Sequence, residues 1–264
     1  MSENDPLVFI TGASSGIGQA LAARFHAAGF RLALVARRAD AVAQWAAANG
    51  IAPARCAIYA GDVRDLAGIA AIGRQCIEQH GVPAVVIANA GISVGVDTGD
   101  PADLEVIRAT YETNNLGMAA TFQPFVRAMC ARGAGTFVGI ASVAGTRGLP
   151  GHGAYSSSKA AAMVYCESLR GEMRPFGVKV VTIAPGYIDT PLTRGNRYAM
   201  PFLMSAADFA ERAFAVIQAG RSFRYIPWQM GWVARLLKIL PNWLYDRLLS
   251  GRPRKQRKGD ASTP

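Results

Sequence analysis

Seven short, largely apolar runs recur along this chain, with longer alanine-rich segments between them. The runs are LVFI (7–10), RLALVA (31–36), RCAIYA (55–60), AVVIANA (84–90), GTFVGIAS (135–142), VKVVTIAP (178–185) and SFRYIPW (222–228). The segments 17–29, 39–49, 65–80, 103–132 and 156–175 between them have helical length and composition. Strands that are apolar throughout, rather than alternately apolar and polar, imply a parallel sheet covered on both faces. The 28 glycines fall in the turns and form no repeat, and no Pro/Ser-rich linker divides the chain, so one α/β domain is expected.

Cysteine usage and the N-terminus bear on compartment. Cys56, Cys76, Cys130 and Cys166 are far apart, with no CxxC or Cys/His ligand spacing. That pattern suits a reducing compartment and offers neither disulfides nor a metal site. MSENDPLVFITG lacks a basic leader region, and no run of about 20 uncharged apolar residues exists. A cytoplasmic protein is expected, with the C-terminal end leaving open a peripheral contact with membrane.

TGASSGIG (11–18) follows the first strand and opens the first helix. Glycines at such a turn let the backbone approach a pyrophosphate, whose charge then sits at the helix N-terminus. The second strand ends Ala36-Arg37-Arg38. An acid there would hold a ribose 2′-hydroxyl, whereas arginine accommodates a 2′-phosphate. The expected cofactor is therefore NADP(H). In GAYSSSKAA (153–161), Tyr155 and Lys159 lie four apart and share a helix face. Alone, that spacing is equally that of a solvated helix start.

Taken in order along residues 6–190, these motifs and several others resemble the short-chain dehydrogenase/reductase family in its short, single-domain form. TGASSGIG is similar to the family's TGxxxGxG, and Asp62-Val63 to its adenine-contacting pair. Asn89-Ala90-Gly91 resembles the NAG turn, with Ala88 in place of the usual preceding asparagine. Asn114 lies three before Gly117, Ser142 lies thirteen before Tyr155, and Pro185-Gly186-Tyr187-Ile188-Asp189-Thr190 resembles PGxxxT. The implied architecture is a doubly wound Rossmann fold, a seven-stranded parallel sheet flanked by helices on both faces.

The resemblance implies catalytic Asn114, Ser142, Tyr155 and Lys159. It implies cofactor contacts from Thr11, Gly12, Ser14, Ser15, Gly16, Ile17, Gly18, Arg37, Arg38, Asp62, Val63, Asn89, Ala90, Gly91, Tyr155, Lys159, Pro185, Gly186, Ile188 and Thr190. Tyr155 would exchange the proton of the substrate oxygen, Ser142 would orient that oxygen, and Lys159 would favour the phenolate while gripping the nicotinamide ribose. Asn114 would hold a water linking Lys159 to solvent. His152 and Tyr187 are candidates for substrate contact. The implied reaction is hydride transfer between NADP(H) and a ketone or aldehyde, or its alcohol. A β-ketoacyl-thioester reductase and a non-catalytic NADP(H)-binding regulator are the alternatives. A homodimer or homotetramer would use helices 103–132 and 156–175.

The C-terminal end departs from this pattern. Residues 221–264 carry ten Lys/Arg against two Asp/Glu, a net of +8 out of the chain's +10. TPLTRGNRYAMPFLM (190–204) reads as a mobile flap over substrate, and its apolar content favours a hydrophobic, lipid-like ketone. In 227–249, Trp228, Trp232, Leu236, Ile239 and Trp243 fall on one side of a helix that Pro241 breaks in two. That stripe either packs on the protein or a partner subunit, or it makes a peripheral membrane contact through 227–258. The basic tail has no nucleic-acid-binding motif. We therefore divide the chain into a catalytic domain (1–226), an amphipathic helical extension (227–251) and a disordered basic tail (252–264).

Overall fold

The computed structural model describes residues 5–196, 198–251 and 254–257. Strands β1 (Leu7–Thr11), β2 (Arg31–Ala36), β3 (Cys56–Ala60), β4 (Val85–Ala88), β5 (Thr136–Ile140) and β6 (Lys179–Pro185) each give way to a connection carrying a helix or a pair of helices. These are α1 (Gly16–Ala27), α2 (Ala39–Ala48), α3 (Leu66–His80), α4 (Asp103–Tyr111) with α5 (Gly117–Arg132), and α6 (Gly153–Met173). A two-residue pair, β7 (Ile188–Asp189) and β8 (Met204–Ser205), precedes α7 (Ala206–Gln218) and β9 (Phe223–Ile226). Helices α8 (Trp228–Ile239) and α9 (Asn242–Leu249) follow.

The main sheet is parallel throughout, in the order β3-β2-β1-β4-β5-β6-β9. Strand side chains alternate between its two faces. In β1, Val8 and Ile10 enter the core under α1, α2 and α7, with Leu21, Phe25, Val42 and Phe209. Leu7 and Phe9 enter the other core, under α3, α5 and α6, with Ile69, Phe122, Phe125 and Cys166. This is the doubly wound Rossmann architecture expected from the sequence. Its strand order turns between β1 and β4, where a crevice opens beyond the carboxyl ends of the strands.

Four expectations change. Residues 103–132 are two helices joined by one π-helical turn, Glu112–Leu116, not a single helix. Helix α7, absent from the sequence reading, starts at Ser205, whose Oγ accepts from Asp208 N at 3.0 Å. The stripe Trp228, Trp232, Leu236, Ile239, Trp243 does not pack on its own chain and is exposed. Instead α8 buries Met230, Gly231 and Ala234.

The fourth concerns the tail assigned as disordered. Residues 254–257 lie against the body. Gly95 N donates to the Gln256 carbonyl oxygen at 2.8 Å, and Arg257 pairs with Asp100 and Asp103. The backbone amide and two carboxylates fix this stretch. The rest of 252–264 lies outside the described residues. No helix of the described residues is long and apolar enough to cross a membrane.

Candidate active site

The crevice is a cleft of about 500 Å³ that runs from the β1–α1 turn to the first turns of α6. Its floor is built from glycine. Gly12 has φ +71°, a left-handed conformation, and a Cβ there would stand 2.8 Å from Ala90 Cα. A methyl at Gly18 would overlap the Gly12 carbonyl oxygen. The turn thus folds tightly on itself and on the end of β4. Asn89 locks it there, with Nδ2 donating to the carbonyl oxygens of Thr11 at 3.1 Å and Gly12 at 3.2 Å. The structure therefore uses Asn89 to brace the turn as well as to line the cleft. Ser15 precedes α1 without a side-chain cap, and the first turn holds no acid. The amides of that turn are left for an anion.

Arg37 and Arg38, just past β2, are exposed and line the cleft without a side-chain hydrogen bond among the described residues. Asp62 faces the same end, and its carboxylate accepts from Arg64 Nη2 at 2.6 Å. That bond holds the carboxyl below the usual carboxylate range, and Arg37 adds to the effect. Arg64 also lines the cleft. The sequence reading missed it, although its spacing of two from Asp62 is the only local signal. Across the cleft, Thr193 Oγ accepts from Thr190 N at 3.1 Å and donates to the Ile188 carbonyl oxygen at 2.6 Å. Thr193 thereby fixes the Thr190 loop, whose Cβ would lie 3.0 Å from a Cβ placed on Gly16.

At the far end the structure brings Asn114, Ser142, Tyr155 and Lys159 together. Ser142 ends the β5 segment and caps a short turn, accepting from Ala144 N at 3.2 Å. Its hydroxyl faces Tyr155 closely enough to moderate the rise that burial imposes on the phenol's pKa. Lys159 is buried, donates from Nζ to the Ile140 carbonyl oxygen at 2.8 Å, and is pushed down to about 8 by desolvation. The Nζ lies 5.8 Å from the Tyr155 ring centroid. Burial is the largest influence on the phenol, and Lys159 bonds to the Ile140 carbonyl oxygen. Asn114 sits in the π-helical turn, fully buried. Its Oδ1 accepts from Ile92 N at 2.9 Å, and its Nδ2 donates to the Ile92 carbonyl oxygen at 3.1 Å and to Ser158 Oγ at 2.9 Å. The extra residue of the turn swings this side chain inward between the β4 loop and α6, a common setting for functional residues.

His152, at the start of α6, is buried, and desolvation with the charge of Lys255 lowers its pKa to about 4. Its ring meets Tyr198 edge-on at 5.9 Å, and Tyr198 meets Tyr187 at 6.1 Å. Tyr198 and Lys255 had no signal in the sequence, since both come from segments with no regular periodicity. No group of three His, Cys, Asp or Glu among the described residues stands in position to hold a metal ion.

A parallel sheet whose crevice joins an open glycine turn to a half-buried tyrosine and a buried lysine has the form of a dinucleotide-binding fold. The model of the short chain dehydrogenase family matches residues 6–200, and the chain belongs to that family. An oxidoreductase of Myxococcus xanthus is 37% identical over 242 residues, covering 90% of this chain and 93% of its own. Dehydrogenase/reductase SDR family member 7B of Bos taurus is 32% identical, covering 97% of this chain and 84% of its own. A short chain dehydrogenase from Burkholderia cenocepacia, solved in complex with NADP, superposes with a TM-score of 0.80 at 24% identity, over 95% of this chain and all of its own. An alcohol dehydrogenase from Thermococcus sibiricus, complexed with 5-hydroxy-NADP, gives 0.72 at 26% identity, over 81% of this chain and 91% of its own.

Proposed function

We propose that the protein is an NADP(H)-dependent oxidoreductase that interconverts a ketone or aldehyde with its alcohol, acting on a hydrophobic, lipid-like substrate. One observation supports the reading: a single cleft is lined by two exposed guanidinium groups, Arg37 and Arg38, at one end and by Ser142, Tyr155 and Lys159 at the other. The residues fit a phosphorylated dinucleotide. Arg37 and Arg38 would meet the 2′-phosphate, and hydrogen bonds to charged groups contribute about 1.5–3 kcal/mol each. The free amides at Gly16–Gly18 would receive the pyrophosphate, and the Thr190 loop and Lys159 would hold the nicotinamide end. The names of the Burkholderia and Thermococcus proteins, which carry NADP or a derivative of it, are consistent with this choice.

Bound there, the reduced nicotinamide supplies the hydride. Tyr155 donates its phenolic proton to the carbonyl oxygen as carbon is reduced, and takes it back in alcohol oxidation. Ser142, beside Tyr155, donates to the same oxygen and orients it. Burial raises the phenol's pKa, so Tyr155 carries the proton it donates in reduction. Lys159 returns the proton to Tyr155. Asn114 fixes the Ile92 loop against α6 and stands on the route by which Lys159 reaches solvent.

Tyr187, Tyr198 and an uncharged His152 form a cluster of rings, with Tyr198 within electrostatic reach of Tyr155; a substrate reaching Tyr155 past these rings would be an apolar ketone. NADPH oxidation against free ketones of increasing chain length tests the reading. Turnover should rise with apolar length and disappear in Tyr155→Phe. Tighter binding of NADH than of NADPH would refute the cofactor assignment.

A further inference from the structure

Helix α8 buries one face and leaves the opposite one bare. Met230, Gly231 and Ala234 face inward, and a Cβ on Gly231 would already stand 3.1 Å from the Tyr225 side chain. Outward, Trp228, Trp232, Leu236 and Ile239 are 64%, 62%, 57% and 78% exposed, and Trp243 of α9 is 68% exposed. In α8 the spacing of three and four residues keeps Trp228, Trp232, Leu236 and Ile239 on one side. Exposed apolar patches of this kind mark interaction surfaces.

The surface is also rigidly mounted. Arg147 donates to the carbonyl oxygens of Leu237 and Leu240, the latter at 2.8 Å, and to Asn242 Oδ1 at 2.8 Å. Its guanidinium lies 3.8 Å over the Tyr245 ring, and Tyr245 Oη donates to the Gly148 carbonyl oxygen at 2.6 Å. The loop so held, 146–151, leads directly into His152 and Tyr155.

We propose that the outer face of α8 and α9 docks on an anionic lipid bilayer, lying in its interface with the substrate end turned toward the lipid. Charge decides for lipid over a second copy of the chain. Residues 221–251 carry Arg221, Arg224, Arg235, Lys238 and Arg247 against the single acid Asp246. A second copy presenting the same face would bring five cations against one acid, whereas anionic headgroups supply the countercharge. Tryptophan suits the boundary between headgroup and acyl chain, and Arg235 reaches over the Trp232 ring at 5.1 Å, the pairing of cation and indole such a boundary favours. Docking stands on these features alone; only its bearing on substrate entry rests on the proposed function.

The test is flotation of the full chain with phosphatidylcholine–phosphatidylglycerol vesicles and with phosphatidylcholine vesicles alone, together with its oligomeric state in solution. The wild type should float with the anionic vesicles and release at high salt. Trp232→Ser/Trp243→Ser and Arg235→Glu/Lys238→Glu should each bind them roughly tenfold more weakly or worse. Both should retain turnover on a water-soluble ketone, which shows that they fold. No flotation of the wild type, or equal flotation of the variants, overturns the proposal. Loss of a dimer in the tryptophan variant, with no lipid binding by the wild type, assigns the face to a second copy instead.

Discussion

Tyr155 and Lys159 share a face of α6, yet the lysine gives its hydrogen bond to the Ile140 carbonyl oxygen and not to the phenol. The two groups are shifted by the same burial in opposite directions, the phenol up and the ammonium down to about 8. Lys159 therefore loses its proton just above neutrality while Tyr155 keeps its own. In ketone reduction, kcat/KM reports the free enzyme. It should stay level below pH 8 and fall above it, as Lys159 can no longer return a proton. Lys159→Met should abolish that limb, and Tyr155→Phe should lower turnover roughly a hundredfold to ten-thousandfold while NADPH binding persists. A pH profile in Lys159→Met that still breaks near 8 would remove the lysine from the proton route.

Arg37 and Arg38 make no side-chain hydrogen bond among the described residues, and Asp62, which Arg37 influences, bonds to Arg64 instead. Loss of one charged hydrogen bond of about 1.5–3 kcal/mol corresponds to about tenfold or more in affinity. Arg37→Ala and Arg38→Ala should weaken NADPH binding by that factor in at least one case, and leave NADH binding nearly unchanged. Titration of protein fluorescence with each cofactor reads both. Equal losses for NADPH and NADH would mean that the arginines serve the pyrophosphate or the adenine and not a 2′-phosphate.

His152 resists protonation in the folded protein, its pKa lowered to about 4 by burial and then by Lys255. Unfolded, it titrates near 6.5. Between these values the unfolded chain binds a proton that the folded chain refuses. Stability from this group is thus complete above about pH 6.5 and is lost as pH falls toward 4. The slope in that window is at most about 1.4 kcal/mol per pH unit for one proton. His80 shifts in the same direction, so the wild type does not owe the whole slope to His152. Urea unfolding at several pH values should show a shallower decline in His152→Phe. Parallel curves for the two proteins would contradict the assignment.

The parts of this molecule visible in the sequence are those set by local chemistry. Apolar strands and glycine turns announce themselves because each residue's role depends on its immediate neighbours. Asn114 is legible only through the family resemblance, which sets it three residues before Gly117, and the π-helical turn that aims it leaves no mark in the sequence. The stripe from Trp228 to Trp243 shows the limit differently. A helix with one apolar face has the same pattern whether that face is covered or bare, and only the packing of Met230 and Ala234 on the opposite side reveals which. Arg257 and Asp103 are 154 residues apart, and nothing near either one points to the other.

That last pair makes the C-terminal segment a strap across the substrate end. Arg257 Nε donates to Asp103 Oδ2 at 2.7 Å and its Nη2 to Asp100, while Asp103 also accepts from Asp97 N at 2.6 Å. From this anchor the chain runs back past Gly95 and Gly151, whose missing side chains leave room for Lys255 and Arg254. Lys255 then ties down the flap, donating to the Leu192 carbonyl oxygen at 3.2 Å and to Asn196 Oδ1 at 2.6 Å. The strap lies over the side where His152, Tyr187 and Tyr198 gather, so it narrows the approach for bulky substrates. Arg257→Ala should raise kcat/KM for bulky apolar ketones and leave small ones and NADPH affinity unchanged. Partly exposed ion pairs contribute little, so the gain should be about fivefold or less, and high salt should reproduce it in the wild type. If Arg257→Ala and the wild type share one chain-length profile at low salt, the strap does not control entry.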